Sequence, residues 1–221
     1  MSFYKQLLFE TEVSREYLLT SPIILKTFEG DITKDDYISF LTQAYYHVSH
    51  TVPLLMATGS KLSMNKEWLR EAIGEYIEEE MGHQEWILND IEAAGGNKEN
   101  VRNGKPNMST ELMISYAYDT INRINPVGFF GMVLVLEGTS IKLATDTAAI
   151  IQKTLGLPDQ AFSYLRSHGN LDLEHMKFYE SLMDKIDNEQ DQAAIIHAAN
   201  TFYYLYANIF RSIGQITSEA A

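Results

Sequence analysis

From Phe129 to Leu136 the chain is apolar at every position except Gly131. A helix that is apolar on all sides has to be buried, so this stretch reads as the central helix of a domain. Gly128 and Gly131 would let a neighbouring helix come close. Pro126 suits a first helical position, and Gly156-Leu157-Pro158 ends the helix. The rest of the chain repeats helical spacing around it. Residues 2–19 form one helix and Ile23 to Phe28 a short second one. A helix from Lys34 to Lys61 is capped by Thr33 and kinked at Pro53. Another is capped by Asn65 and stops at Gly95-Gly96, and one capped by Ser109 or Thr110 runs to Asn125. Residues 159–167 and 171–185 read as two helices on either side of Gly169-Asn170, and 188–213 as the last. No segment shows the period-two alternation of a strand. The expectation is an all-α single domain over residues 1–221, a bundle of about eight helices.

Charge and composition narrow the function. Thirty Asp and Glu stand against 17 Lys and Arg, a net charge of −13, which argues against nucleic acid and anionic membrane surfaces. With no cysteine there are no disulfides, thiolate metal sites or cysteine nucleophiles. No apolar run has the length of a bilayer span, and the N-terminus lacks a signal-peptide core, so the expected compartment is the cytoplasm.

Three polar groups stand out against this background. Glu137 directly follows the apolar run; a buried carboxylate is costly unless it is paired, neutralised or bound to metal. Glu80 and His83 form a Glu-x-x-His, and Asp172 and His175 repeat the acid-x-x-His spacing, with His168 four residues before Asp172. On a helix such spacings put a carboxylate and an imidazole on one face. Two such pairs facing each other across a bundle are how carboxylate-bridged di-iron and di-manganese sites are built. Each part has a plainer reading. Glu78 to Glu80 is a charge run of the kind that forms a solvated face, Asp172 could serve a helix N-terminus, and His175 could be a hydrogen-bonded core histidine. If a helix starts at Leu171, His168 drops out of the register. His47 and His50 lie three apart on one helix; only one can face the core well, and His47 is the candidate ligand. His197 has no acid at ligand spacing and reads as structural, as does the aromatic stretch from Phe202 to Phe210.

Glu80-x-x-His83, then Glu137, then His168-x-x-x-Asp172-x-x-His175 resemble, in order and spacing, the heme-oxygenase-like di-iron oxidases. Their superfamily also holds thiaminase II and the pyrroloquinoline-quinone synthase, and the likeness is greatest to the group around the chlamydial death-domain-associating protein. The resemblance implies a heme-oxygenase-like bundle in which two iron ions, or manganese as the alternative, activate dioxygen to oxidise a small organic substrate. It implies that His168, Asp172 and His175 hold one metal, that Glu137 bridges, and that Glu80 and His83 serve mainly the other. Many relatives place a further carboxylate where this chain has Tyr76, and a Glu where His47 is the nearest candidate. The second iron site is therefore expected to be poor in carboxylate. Glu80, Glu137 and Tyr76 are the residues expected to act in the chemistry, and a homodimer is the default assembly.

Other readings remain at this stage. Thiaminase II chemistry needs a cysteine, and a heme oxygenase needs an axial His on its first helix, whereas the earliest His here is His47. A cofactor-free oxidase resembling the quinone synthase would not explain the convergence of Glu80, Glu137 and Asp172. A non-catalytic helical binding module would make that convergence a coincidence.

Overall fold

In a computed structural model of the chain, residues 1–214 are described, apart from the side chains of Lys142, Thr145 and residues 168–174. The described residues form twelve α-helices and no strand. No single helix among them is long and apolar enough to cross a membrane.

The helix count exceeds the expected eight because several long sequence segments are broken once. The N-terminal segment divides into α1 (Phe3–Glu10) and α2 (Glu12–Leu19). At the join the buried Thr11 hydroxyl donates to the Leu7 carbonyl at 2.7 Å. Next comes α3 (Pro22–Glu29), with Pro22 in its first turn and Gly30 at φ 75° closing it. Thr33 and Asp36 form a reciprocal capping box at the start of α4 (Lys34–Val48), and α5 spans Thr51–Lys61. The expected kink at Pro53 is instead a break at Ser49-His50. A proline deep in a helix clashes with the carbonyl four residues back, and the break leaves Pro53 in the first turn of α5, where no N–H is needed.

A 3₁₀ turn (Met64–Lys66), not an Asn65 cap, precedes α6 (Glu67–Glu80), and α7 (His83–Ala93) follows. Then come α8 (Lys98–Arg102) and α9 (Met108–Asp119); Asn107, rather than Ser109 or Thr110, caps α9 by accepting from the Thr110 N–H at 2.9 Å. A π-helical turn (Thr120–Ile124) and a 3₁₀ turn (Pro126–Phe129) lead into α10 (Phe130–Leu155), which Gly156 ends at φ 63°. After the 3₁₀ turn Asp159–Phe162, α11 (Ser163–Met183) runs unbroken through Gly169-Asn170, where two helices were expected. Asn188 caps α12 (Glu189–Ser212).

The central position of α10 follows from its composition. Phe130, Leu134 and Val135 have 1% exposure or less. A Cβ added to Gly131 would lie 2.6 Å from the Ala199 nitrogen and 2.7 Å from the Ile195 carbonyl, so the backbones of α10 and α12 touch there and only glycine fits. Across α10, Tyr179 of α11 donates its hydroxyl proton to the Phe130 carbonyl at 2.7 Å. Fully buried Asp90 of α7 holds the start of α11: it accepts from the Tyr164 N–H at 2.8 Å, the Ser163 N–H at 3.1 Å and the Ser163 hydroxyl. Burial raises the Asp90 pKa, and these hydrogen bonds oppose the rise.

Candidate metal centre and cavity

A cavity of about 140 Å³ lies between α3, α4, α5, α6, α10, α11 and α12. Its longest wall is α10, where Leu136, Glu137, Ser140, Ala144, Thr147 and Ile151 line it at helical spacing on either side of a 54° bend between Ile141 and Asp146. Among the described residues its only acidic or basic lining groups are Glu80 and Glu137, with His47 and Tyr76 in the same lining. Four candidates chosen from the sequence therefore share one chamber.

Glu137 is 8% exposed, as its place directly after the apolar run implies. Tyr76 of α6 is 2% exposed, and its hydroxyl has no hydrogen-bond partner among the described residues. The phenol is pushed far above its ordinary pKa, first by desolvation and then by the carboxylates of Glu137, Glu79, Glu80 and Glu75. His47 of α4 is buried and meets Tyr206 edge-on, with ring centroids 5.6 Å apart. His50 points elsewhere: its Nδ1 lies 3.0 Å from the Tyr118 hydroxyl, and burial lowers its pKa.

Glu80 and His83 do meet, with Oε2 and Nδ1 3.0 Å apart, but not on one continuous helix. Glu80 is the last residue of α6 and His83 the first of α7. Between them Gly82 takes φ 95°, a left-handed conformation that favours glycine. Trp86 packs against the His83 ring at a centroid distance of 4.1 Å.

On α11, His175 is 8% exposed, lies edge-on to Tyr76 at 6.3 Å, and has Nε2 2.9 Å from Glu79 Oε2. Neither His83 nor His175 lines the cavity. The unbroken backbone of α11 restores the register of positions 168, 172 and 175 that a start at Leu171 would have destroyed. The side chains of His168 and Asp172 lie outside the described residues. Among the described residues, no three His, Asp or Glu side chains converge on a cation site.

Glu79 is the residue that sequence reasoning missed. In the sequence it reads as part of a solvated run with Glu78 and Glu80, and it is half exposed. The available signal was the i, i+3, i+4 relation of Tyr76, Glu79 and Glu80, which places two acids beside a buried ring on α6.

These features define a heme-oxygenase-like all-α protein with a carboxylate- and imidazole-bearing cavity. Residues 38–207 match the family described as iron-containing redox enzymes, and the chain belongs to that family. No curated protein matches it. Among solved structures it is similar to a domain of unknown function with a heme oxygenase-like fold from Shewanella denitrificans, at TM-score 0.87 and 22% identity over 97% of this chain and 93% of that one. It is also similar to a TenA homologue from Pseudomonas syringae pv. tomato, at TM-score 0.77 and 12% identity over 96% and 91%. A heme oxygenase from Leptospira interrogans matches at TM-score 0.76 and 16% identity over 96% and 100%. At these identities the likeness is one of fold.

Proposed function

We propose that this protein is a non-heme iron oxidase that holds two iron ions between its helices and uses dioxygen to oxidise a small organic substrate. The observation that carries the proposal is the electrostatic setting of Tyr76. Among the described residues, every charged group that shifts this buried phenol is a carboxylate. Acids gathered beside an apolar chamber favour a bound cation. The donor types fit iron or manganese: Glu80 and Glu137 offer oxygen, and His47, His83 and His175 offer nitrogen. Haem suits the setting less, because its anionic propionates would add to the same negative charge.

His168 and Asp172 would join His175 at one metal, Glu137 would bridge, and Glu80 and His83 would serve the second. Iron bound there would supply redox chemistry towards dioxygen and the substrate. The chain's own residues prepare the site. Glu79 fixes the ring orientation of His175, and Glu80 and Trp86 fix that of His83. The Tyr76 hydroxyl keeps its proton and can donate it as a hydrogen bond to a group in the chamber. The apolar stretch before Glu137 keeps water from the reacting groups.

Protein purified with Fe(II) should carry roughly one to two irons per chain, as in carboxylate-bridged bundle sites. Glu137→Ala and His175→Ala should each lower that content, measured by metal analysis. Metal-free protein with undiminished oxygen-dependent activity would overturn the proposal in favour of a cofactor-free oxidase. Absence of both iron binding and oxygen uptake would overturn it in favour of a binding module.

A further inference from the structure

We propose that the exposed acids of α6, Glu75, Glu78 and Glu79, are the port through which a hydrated divalent cation is drawn from solvent and passed inward to Glu80 and Glu137. The inner destination of the ion rests on the iron-oxidase reading.

The spacing on α6 builds two overlapping faces. Glu78 and Glu79 follow Glu75 at i+3 and i+4, and Glu79 and Glu80 follow Tyr76 at the same intervals, so Glu79 belongs to both. The outer face is in solvent: Glu75 and Glu78 are exposed, and the Glu79 side chain keeps 49% of its surface. The inner face is closed: the Glu80 side chain keeps 12%, and Tyr76 and Glu80 line the cavity together with Glu137. Carboxylates therefore run from water to the chamber with falling exposure. Glu79 stands at the crossing, its Oε2 2.9 Å from Nε2 of the buried His175.

The charge on this row is left for a mobile cation to answer. Glu85, Glu92 and Asp119 meet Arg102, Lys98 and Arg123, whereas among the described residues Glu75, Glu78 and Glu79 meet no Lys or Arg. Like charges one turn apart repel, and a surface of one sign beside a low-dielectric wall concentrates the opposite ion. The approach is open, since a Cβ added to Gly74 or to Gly82 would meet nothing within 4 Å. Two carboxylates on one turn hold a hydrated ion loosely, so the mouth does not trap it. A second observation marks the way in. The Tyr76 hydroxyl is buried and has no hydrogen-bond partner among the described residues. The carboxylates of Glu137, Glu79, Glu80 and Glu75 all act on that one phenol, which puts outer and inner acids within electrostatic reach of a single point. A hydrated ion moving from Glu79 to Glu80 brings the water that this hydroxyl lacks.

The test mixes metal-free full-length protein with Fe(II) in the absence of oxygen and adds a chromophoric Fe(II) chelator after increasing delays. Iron that the chelator no longer captures at once has been taken up. Glu75→Gln/Glu78→Gln should slow uptake about fivefold to tenfold at low ionic strength and still reach the wild-type iron content at saturating Fe(II). Added salt should slow the wild type towards the variant, because screening removes what the port supplies. Glu16→Gln/Glu111→Gln removes the same charge from exposed positions on α2 and α9, and should change the rate by less than about twofold. Melting temperatures confine the comparison to folded proteins. Equal slowing by both pairs would assign the effect to net charge and overturn the port. Wild-type uptake rates in Glu75→Gln/Glu78→Gln would overturn it as well, with the oxidase reading intact. A wild type that retains no iron would instead sink the oxidase reading and take the port with it.

Discussion

The two acid-x-x-His stretches share one sequence signature and have opposite backbones. At Glu80-Met81-Gly82-His83 the helix ends, Gly82 turns left-handed, and a new helix starts on the histidine. At Asp172 to His175 the helix continues, and it also runs through Gly169-Asn170, which reads locally as a stop. A glycine therefore ends a helix only where the tertiary structure has a use for the turn. Between α6 and α7 the turn redirects the chain while the Glu80–His83 contact survives. In α11 the helix is held at its start by Asp90 and against α10 by Tyr179, so its cooperative hydrogen bonding outlasts the local cost of glycine.

The largest test of this contrast removes the α11 anchor. Asp90→Ala should leave buried N–H groups at the first turn of α11 without their acceptor and destabilise the protein by about 3 kcal/mol, or roughly 6–12 °C in melting temperature. Asp90→Asn keeps an acceptor and should cost less. Gly82→Ala comes next. Its added Cβ would meet nothing within 4 Å, so the cost is the backbone conformation alone, about 1–2 kcal/mol. Thermal melts would measure the cost, and the chemical shift of the His83 ring would show whether its contact with Glu80 loosens. Gly169→Ala should do the opposite and raise stability by about 0.5–1 kcal/mol, because an alanine suits a continuous helix better than a glycine does. Opposite signs at the two glycines would sharpen the contrast; destabilisation at both would break it.

The smallest effect concerns pH. The Asp90 pKa is raised in the folded state, so between that value and its unfolded value of 3.8 the folded protein binds more protons than the unfolded one. Wild-type stability relative to Asp90→Asn should therefore improve as the pH falls from neutrality through that window. Melting temperatures of both proteins across a pH series would measure it.

Much of this molecule is legible in its chain. The apolar run from Phe129 to Leu136 fixes a buried central helix, because no other placement removes that surface from water on every side. Gly131 marks the close approach of α12, and the cap at Thr33 follows from a short polar side chain at a helix start. Glu137 stands out as a carboxylate straight after an apolar run and Glu80 by its acid-x-x-His spacing, while Tyr76 and His47 stand out only by the family resemblance; all four line one cavity.

What the chain could not decide was where helical continuity fails. Breaks at Thr11, Ser49-His50 and Gly82, and the absence of one at Gly169-Asn170, depend on which helices pack against each segment. Local spacing is blind to that. The same holds for Glu79, whose pairing with His175 joins residues far apart in sequence. The cavity beside α10 likewise belongs to no single stretch. Its walls come from seven helices, and the hydroxyls of Thr27, Tyr37, Ser140 and Thr147 in them turn back to backbone carbonyls. Periodicity determines which face of a helix is buried; only packing determines what that face meets.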